Sequence, residues 1–284
     1  MPTRVTASLA QQERPRLELS GPKLALAFES LVACSEQHGG VEAYVEALQI
    51  KSAMFRDALG TGDVLAVGFS TFKELFAHIA TVRRRIGPYL EPGAFDGLRA
   101  CIARLLERRE DTSTSDWRIA EFCGSFPDDR SHRWVRDLAA EILHNVDPER
   151  YPLMCRWVWD AGANTGVIRE IWHAEDVDQI HIDVADGYAT FLVLREEFAQ
   201  YLAANGVFRD VLQYVDVLTA QVYANYIGER GGTYLRADFV TPEAPMLHTR
   251  RILGLDGVDA NGRTRLKAID GRAVVLDDAK RVGN

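Results

Sequence analysis

Over most of the first 230 residues, apolar side chains recur every three or four positions, the spacing that lines one face of an α-helix. After Ser20-Gly21-Pro22, the residues Leu24, Phe28, Leu31 and Val32 mark a first helix that Gly39-Gly40 closes. A second follows from Val41, Tyr44, Val45, Leu48, Phe55 and Leu59, ending at LGTGD, residues 59 to 63. FSTFKELFAHIATVRRR, residues 69 to 85, predicts a third with Phe72, Leu75, Phe76 and Ile79 inward; Leu98, Cys101, Ile102, Leu105 and Leu106 predict a fourth. Past the polar joint EDTSTSD, residues 110 to 116, Asp116 is placed to cap a short helix through Trp117 and Phe122. Trp134, Val135, Leu138, Ile142 and Leu143 are in helical register between Ser131 and Val146. Asp147-Pro148 then reads as the cap and first turn of another helix, continuing from Arg150 to Asp160. Two longer helices are predicted by FLVLREEFAQYLAANG and by the run from Phe208 to Ile227.

Two regions break this period. In HIDVADG and the residue before it, Ile180, Ile182 and Val184 alternate with His181 and Asp183, as in a short strand. From about residue 232 to 275, glycine interrupts every few positions, and Asn-Gly and Asp-Gly pairs signal hairpin turns. The expected fold class is therefore mainly α, a multi-helical body with a small β-rich C-terminal extension. Its expected organisation is a flexible arm over 1–18, helical subdomains over 19–110 and 111–231, and a strand-and-turn extension over 232–284. That extension either closes the protein's own core or reaches a partner. Strands and helices do not alternate as a doubly wound sheet would require.

Composition narrows the function classes. With 47% hydrophobic and 26% charged residues in 284, the chain is expected to be a soluble globular protein. Its 33 basic and 41 acidic residues give a net charge of -8, which disfavours a nucleic-acid partner. Arg83-Arg84-Arg85 is the densest basic cluster, and at the end of the third helix it would complement the helix dipole. The four cysteines, Cys34, Cys101, Cys123 and Cys155, contain no C-x-x-C pair; Cys101 lies on an apolar stripe and reads as a buried thiol. With no signal-peptide-like start and no bilayer-length apolar run, a cytoplasmic location is expected, with no membrane association.

The segment RYPLMCRWVWDAGANTGVIREIWH, residues 150 to 173, holds three of the five tryptophans. On a helix through Asp160, Leu153, Trp157 and Asp160 would share a face while Trp159 points elsewhere, so the segment is either core or the wall of a site. AGANTG reads as a turn from which Asn164 or Thr165 caps the short helix VIREIW; Arg169 and His173, four apart, share one of its faces. Free N–H groups at that helix start, with a hydroxyl and a guanidinium beside them, would suit a phosphate or carboxylate. Arg156, Trp157, Asp160, Asn164, Thr165, Arg169 and His173 are thus the candidate ligand-binding residues, for an anionic aromatic or nucleotide-like molecule. His173, Asp176, Asp178, His181 and Asp183 form the densest His/Asp stretch but lack metal-ligand spacing, so neither metal nor cofactor is expected. There is no G-x-S-x-G elbow, and the G-x-G of LGTGD lacks a preceding strand and a following lysine.

AEILHNVDPERYPLMCRWVWD, residues 140 to 160, resembles a stretch of helical DNA-glycosylase-like domains, in which a helix is followed by a P-x-x-Y-P turn and a second helix. The resemblance covers about twenty residues and implies a nucleic-acid-processing protein. The glycine-rich hairpin that precedes that family's catalytic aspartate has no counterpart here at the right distance. With no reaction chemistry apparent, the leading expectation is an interaction or regulatory protein with a protein partner. A sensor or enzyme using the 150–173 segment comes next, and a nucleic-acid-processing protein using Arg83 to Arg85 third.

Overall fold

The computed structural model describes residues 14–174, 176–231, 244–259, 261–276 and 282. The body is mainly helical, with a small antiparallel sheet near the C-terminus. The helices are α1 (Gly21–Ser35), α2 (Gly40–Phe55), α3 (Phe69–Ala77), α4 (Phe95–Leu106), α5 (Ser115–Gly124), α6 (Trp134–Val146), α7 (Val167–Glu170), α8 (Tyr188–Ala204), α9 (Val211–Gly231) and α10 (Ala244–Ile252). The strands are β1 (Arg263–Lys267) and β2 (Ala273–Val275). Among the described residues, no helix is long and apolar enough to cross a membrane.

Helix α6 runs through the middle. Of its residues only Arg136 is not buried, so its polar side chains must find partners inside. Asp137 accepts from the Arg156 backbone N–H at 2.8 Å and pairs with its guanidinium at 3.3 Å. Glu141 holds the Lys51 ammonium of α2 at 2.9 Å and accepts from Asn145. His144 contacts Asp216 of α9 at 3.0 Å and the Tyr151 carbonyl at 2.8 Å. Lys51 also donates to the Leu253 carbonyl at 2.9 Å, which joins α2, α6 and the C-terminal extension at one buried cation. Helix α9 packs against α1, α2, α7, α8 and α10 and is buried on several faces, including Asp216, Thr219 and Gln221. α2 packs on α6 and α9 across the 110/111 joint, and one contiguous apolar core runs from Leu24 to Val282.

Four local expectations differ from the structure. Residues 147 to 166 are not helical, because Pro152 removes an N–H and forces Tyr151 out of helical geometry. This irregular segment is enclosed on both sides, so Trp157 and Trp159 are both buried, which one face of a helix would not allow. No strand forms over 180–184; these residues line the body as irregular chain. The third helix stops at Ala77, leaving Arg83 to Arg85 in turns beyond it. Finally, Asp116 caps not its own helix but the start of α8, accepting from the Tyr188 N–H at 2.7 Å.

The termini also differ. Residues 1–13 of the expected arm lie outside the described residues; Glu18 to Ser20 pair with 171–173, through Ser20 N–H to the Ile171 carbonyl at 2.7 Å and His173 N–H to the Glu18 carbonyl at 2.8 Å. Within the strand-and-turn extension, 232–243 lie outside the described residues, and 244–252 form a helix. Gly254, at φ +73°, ends it, with its N–H on the Arg251 carbonyl and that of Leu255 on the Arg250 carbonyl. A glycine that reads in sequence as a strand breaker is thus a helix stop. Two of the extension's three Asn-Gly and Asp-Gly pairs turn the chain with positive φ at glycine, Asn261-Gly262 and Asp270-Gly271, whereas Gly257 of Asp256-Gly257 has no positive φ.

Candidate anion-binding cleft

The extension docks on the end of α3 through glycines. A Cβ at Gly254 would lie 1.8 Å from the His78 carbonyl oxygen, and one at Gly257 2.6 Å from that of Ala77. On the body side, a Cβ at Gly87 would lie 2.7 Å from the Lys267 carbonyl oxygen. Only glycine permits backbone to approach backbone this closely. The contact is completed by the Lys267 N–H on the Arg83 carbonyl at 2.8 Å and by the fully buried Leu266 beneath the sheet.

Strand β1 reads RTRLK and alternates exposed with buried. Thr264 and Leu266 face the body, so Arg263, Arg265 and Lys267 face outward. Docking sets this basic edge beside the turn holding Arg84 and beside Arg250 of α10. Together they line an open cleft of about 480 Å³ that, among the described residues, has five basic side chains and two acidic ones, Asp256 and Asp259. Both acids have local work. Asp259 accepts from the N–H groups of Asn261 and Arg263 and so shapes the turn. Asp256, only 10% exposed, holds the buried Arg83 at 2.7 Å and Arg265 at 2.8 Å, with Arg251 at 3.7 Å. Burial lowers the pKa of Arg83, and Asp256 opposes that shift. Arg84, Arg263 and Lys267 make no side-chain hydrogen bond or ion pair among the described residues. Neighbouring basic groups also act on His248 of α10, whose pKa is lowered by burial and then by Arg251.

The residues expected to bind a ligand in 150–173 are mostly engaged in holding the fold. Arg156 pairs with Asp137 and, at 3.7 Å, with Asp160; Asp160 also takes Arg133 at 2.8 Å. Asp160 and Thr165 bond each other through their backbones, closing the AGANTG turn as a small hairpin. The Asn164 side chain, on a residue at φ +51°, bridges the Ile180 carbonyl and the Ile182 N–H. Arg169 donates to the carbonyls of Val177 at 2.6 Å and Ile180 at 3.2 Å, pinning the same loop. The cap of α7 is Gly166 rather than Asn164 or Thr165, and no side chain caps that helix. Its first N–H groups, of Val167 and Ile168, donate to the carbonyls of Trp157 and Val158, so they are not turned toward a ligand. His173 is exposed at the edge of the 18–20 pairing, and Thr165 is exposed as well. Trp157 stacks near Tyr223, centroids 5.4 Å apart; its Nε1 and the Arg156 Nε are buried without a hydrogen-bond partner.

A further open cleft, of about 600 Å³, lies between α2, the 147–149 turn and the start of α9. Its charge is mixed: Arg56 and Arg109 face Asp147, Glu149 and Asp210. Arg109 is held by the Gly60 carbonyl at 2.7 Å and Asp210 by Gln49 at 2.8 Å. Among the described residues, no group of three His, Cys, Asp or Glu side chains is placed to hold a metal; the Asp178 side chain lies outside them. Cys155 is fully buried, which pushes its thiol well above the ordinary value, whereas Cys101, expected to be buried, is only partly so.

Comparison with protein-family models, with curated proteins and with solved structures found no match for the chain. The second helix that the resemblance of 140–160 to glycosylase-like domains implies does not form.

The basic cleft is hidden in the sequence because its parts lie far apart along the chain. A period-2 run of basic and apolar residues, RTRLK, between two hairpin turns is the one local signal for it.

Proposed function

We propose that this chain is an interaction protein whose partner is an anionic macromolecule, engaged at the cleft between the 83–85 turn, α10 and β1. The observation that carries this reading is the segregation of charge: a chain of net charge -8 gathers five basic side chains on one cleft against two acids, each engaged by neighbours within the protein. The acidic remainder does not oppose such binding strongly. At physiological salt the Debye length is about 8 Å, so charges farther off are largely screened and the local field decides. The arginines are held by a docked, tightly packed scaffold, which lowers the entropy lost on binding.

Retention on immobilised heparin tests the reading. Retention at low salt, lost in the triple variant R84E/R263E/K267E with an unchanged unfolding midpoint, is the expected result. Elution of the wild-type chain in the void at 50 mM salt would overturn it.

A further inference from the structure

Resting on that reading, we infer that the anionic partner is double-stranded nucleic acid, gripped along its phosphate backbone without base readout. Three observations support this: the first fits a nucleotide strand in general, the second disfavours an added peptide strand, and the third disfavours an unpaired nucleotide strand.

The first is spacing. Arg263, Arg265 and Lys267 stand on alternate positions of β1, where a regular strand would space them about 6.7 Å apart and where the pairing with β2 shifts register, with Arg84 beside them in the cleft. That repeat matches successive phosphates along one nucleotide strand. Guanidinium forks suit phosphate oxygens through paired hydrogen bonds.

The second is the state of the strand edge. A peptide partner would ordinarily add to β1 by main-chain hydrogen bonds. The outer edge of β1 is already closed, since the N–H of Arg265 donates to the Gly257 carbonyl at 3.0 Å and that of Lys267 to the Arg83 carbonyl at 2.8 Å. A partner at this edge must be held by side chains, and a phosphodiester backbone needs nothing more.

The third is what the cleft lacks. None of its lining residues among those described is aromatic. Unpaired bases are gripped by stacking on aromatic rings, worth about 1–3 kcal/mol per base; a paired duplex hides its base faces and needs no such platform. With Leu247, Val258 and Ala273 as the apolar lining, the cleft offers charge and shape only.

Three free cations, Arg84, Arg263 and Lys267, then set the salt dependence, because Arg265 is already paired with Asp256. Neutralising about three phosphates gives a slope of log K against log salt near -2.7, so affinity falls roughly 40-fold between 50 and 200 mM salt.

The test is fluorescence anisotropy of the full chain with three labelled probes: a mixed-sequence duplex of about 20 base pairs, one of its strands, and a poly-glutamate peptide, each across that salt range. Support consists of tightest binding to the duplex, insensitivity to its sequence, and a slope that drops by about 1 in each of R84A, R263A and K267A but not in R56A, a cation of the other cleft. Poly-glutamate or the single strand binding as tightly as the duplex overturns the inference, as does heparin retention without duplex binding; in each of these the anionic-partner reading stands. Failure on heparin and on all three probes removes both.

Discussion

The segment 150–173 and the C-terminal extension exchange roles between sequence and structure. The tryptophan-rich segment is dense in the residue types that bind ligands, yet its arginines, asparagine and aspartate are paired with backbone and side chains of the protein itself. The extension reads as a glycine-broken tail, yet it supplies most of a cleft whose cations point outward. What separates the two is the state of the polar groups. A guanidinium that already has carbonyl or carboxylate partners stabilises the fold, and its removal leaves buried acceptors unmade. One held by its stem on a rigid strand with its head in solvent costs the fold little and remains available.

Substitutions on the internal side, in segment 150–173, should cost the fold most. Trp159, fully buried with its Nε1 on the Val184 carbonyl at 2.9 Å, is expected to cost about 3–5 kcal/mol on replacement by alanine. Urea unfolding measures it; a loss below about 1 kcal/mol would mean that the segment is not core. Gly254→Ala tests the join, where a methyl would meet the His78 carbonyl at φ +73°. A destabilisation of about 1–3 kcal/mol, together with weaker heparin retention from a misplaced β1, is the expected pair of effects. Arg169→Ala is expected to cost about 1–3 kcal/mol and to leave heparin retention unchanged. Weakened retention with unchanged stability would return the anion site to 150–173.

A pH titration probes the internal side without mutation. Burial works against a charged His144, but Asp216, the Tyr151 carbonyl and Glu141 outweigh it and raise its pKa above 6.5. Both ring nitrogens face acceptors, as an imidazolium requires. With the folded value above the unfolded one, this stabilisation is complete below pH 6.5 and fades as pH rises through the folded value. Unfolding midpoints should therefore fall as pH rises above 6.5, and the fall should flatten in His144→Gln. The smallest effect belongs to the cleft: R84A and R263A should change stability by less than about 0.5 kcal/mol while shortening heparin retention. That dissociation of binding from stability is the mirror image of Arg169.

The sequence displays the helices well wherever one face is apolar and the other solvated. The stripes of α2 and α4 are visible as spaced Leu, Ile, Val and Phe, and hairpin turns as Asn-Gly and Asp-Gly. It conceals what depends on distant partners. Asp137, Glu141, His144 and Asn145 resemble the wet face of α6, and only Arg156, Lys51 and Asp216, brought up from other elements, make their burial tolerable. Pro152 does carry a local signal against helix, stronger than the Asp-Pro start that favours one. The cleft is invisible for the same reason as the buried network: Asp256 and Arg83 meet only after folding, 173 residues apart.

The Lys51 to Leu253 contact bears on how the chain is made. During synthesis α2 emerges early, but the carbonyl that helps hold its buried ammonium is 202 residues downstream. Until α10 and the residue after it have left the ribosome, α2 and α6 close around a cation with one acceptor missing. A nascent chain halted before residue 253 is expected to be more open to proteases around α2 and α6 than the full chain.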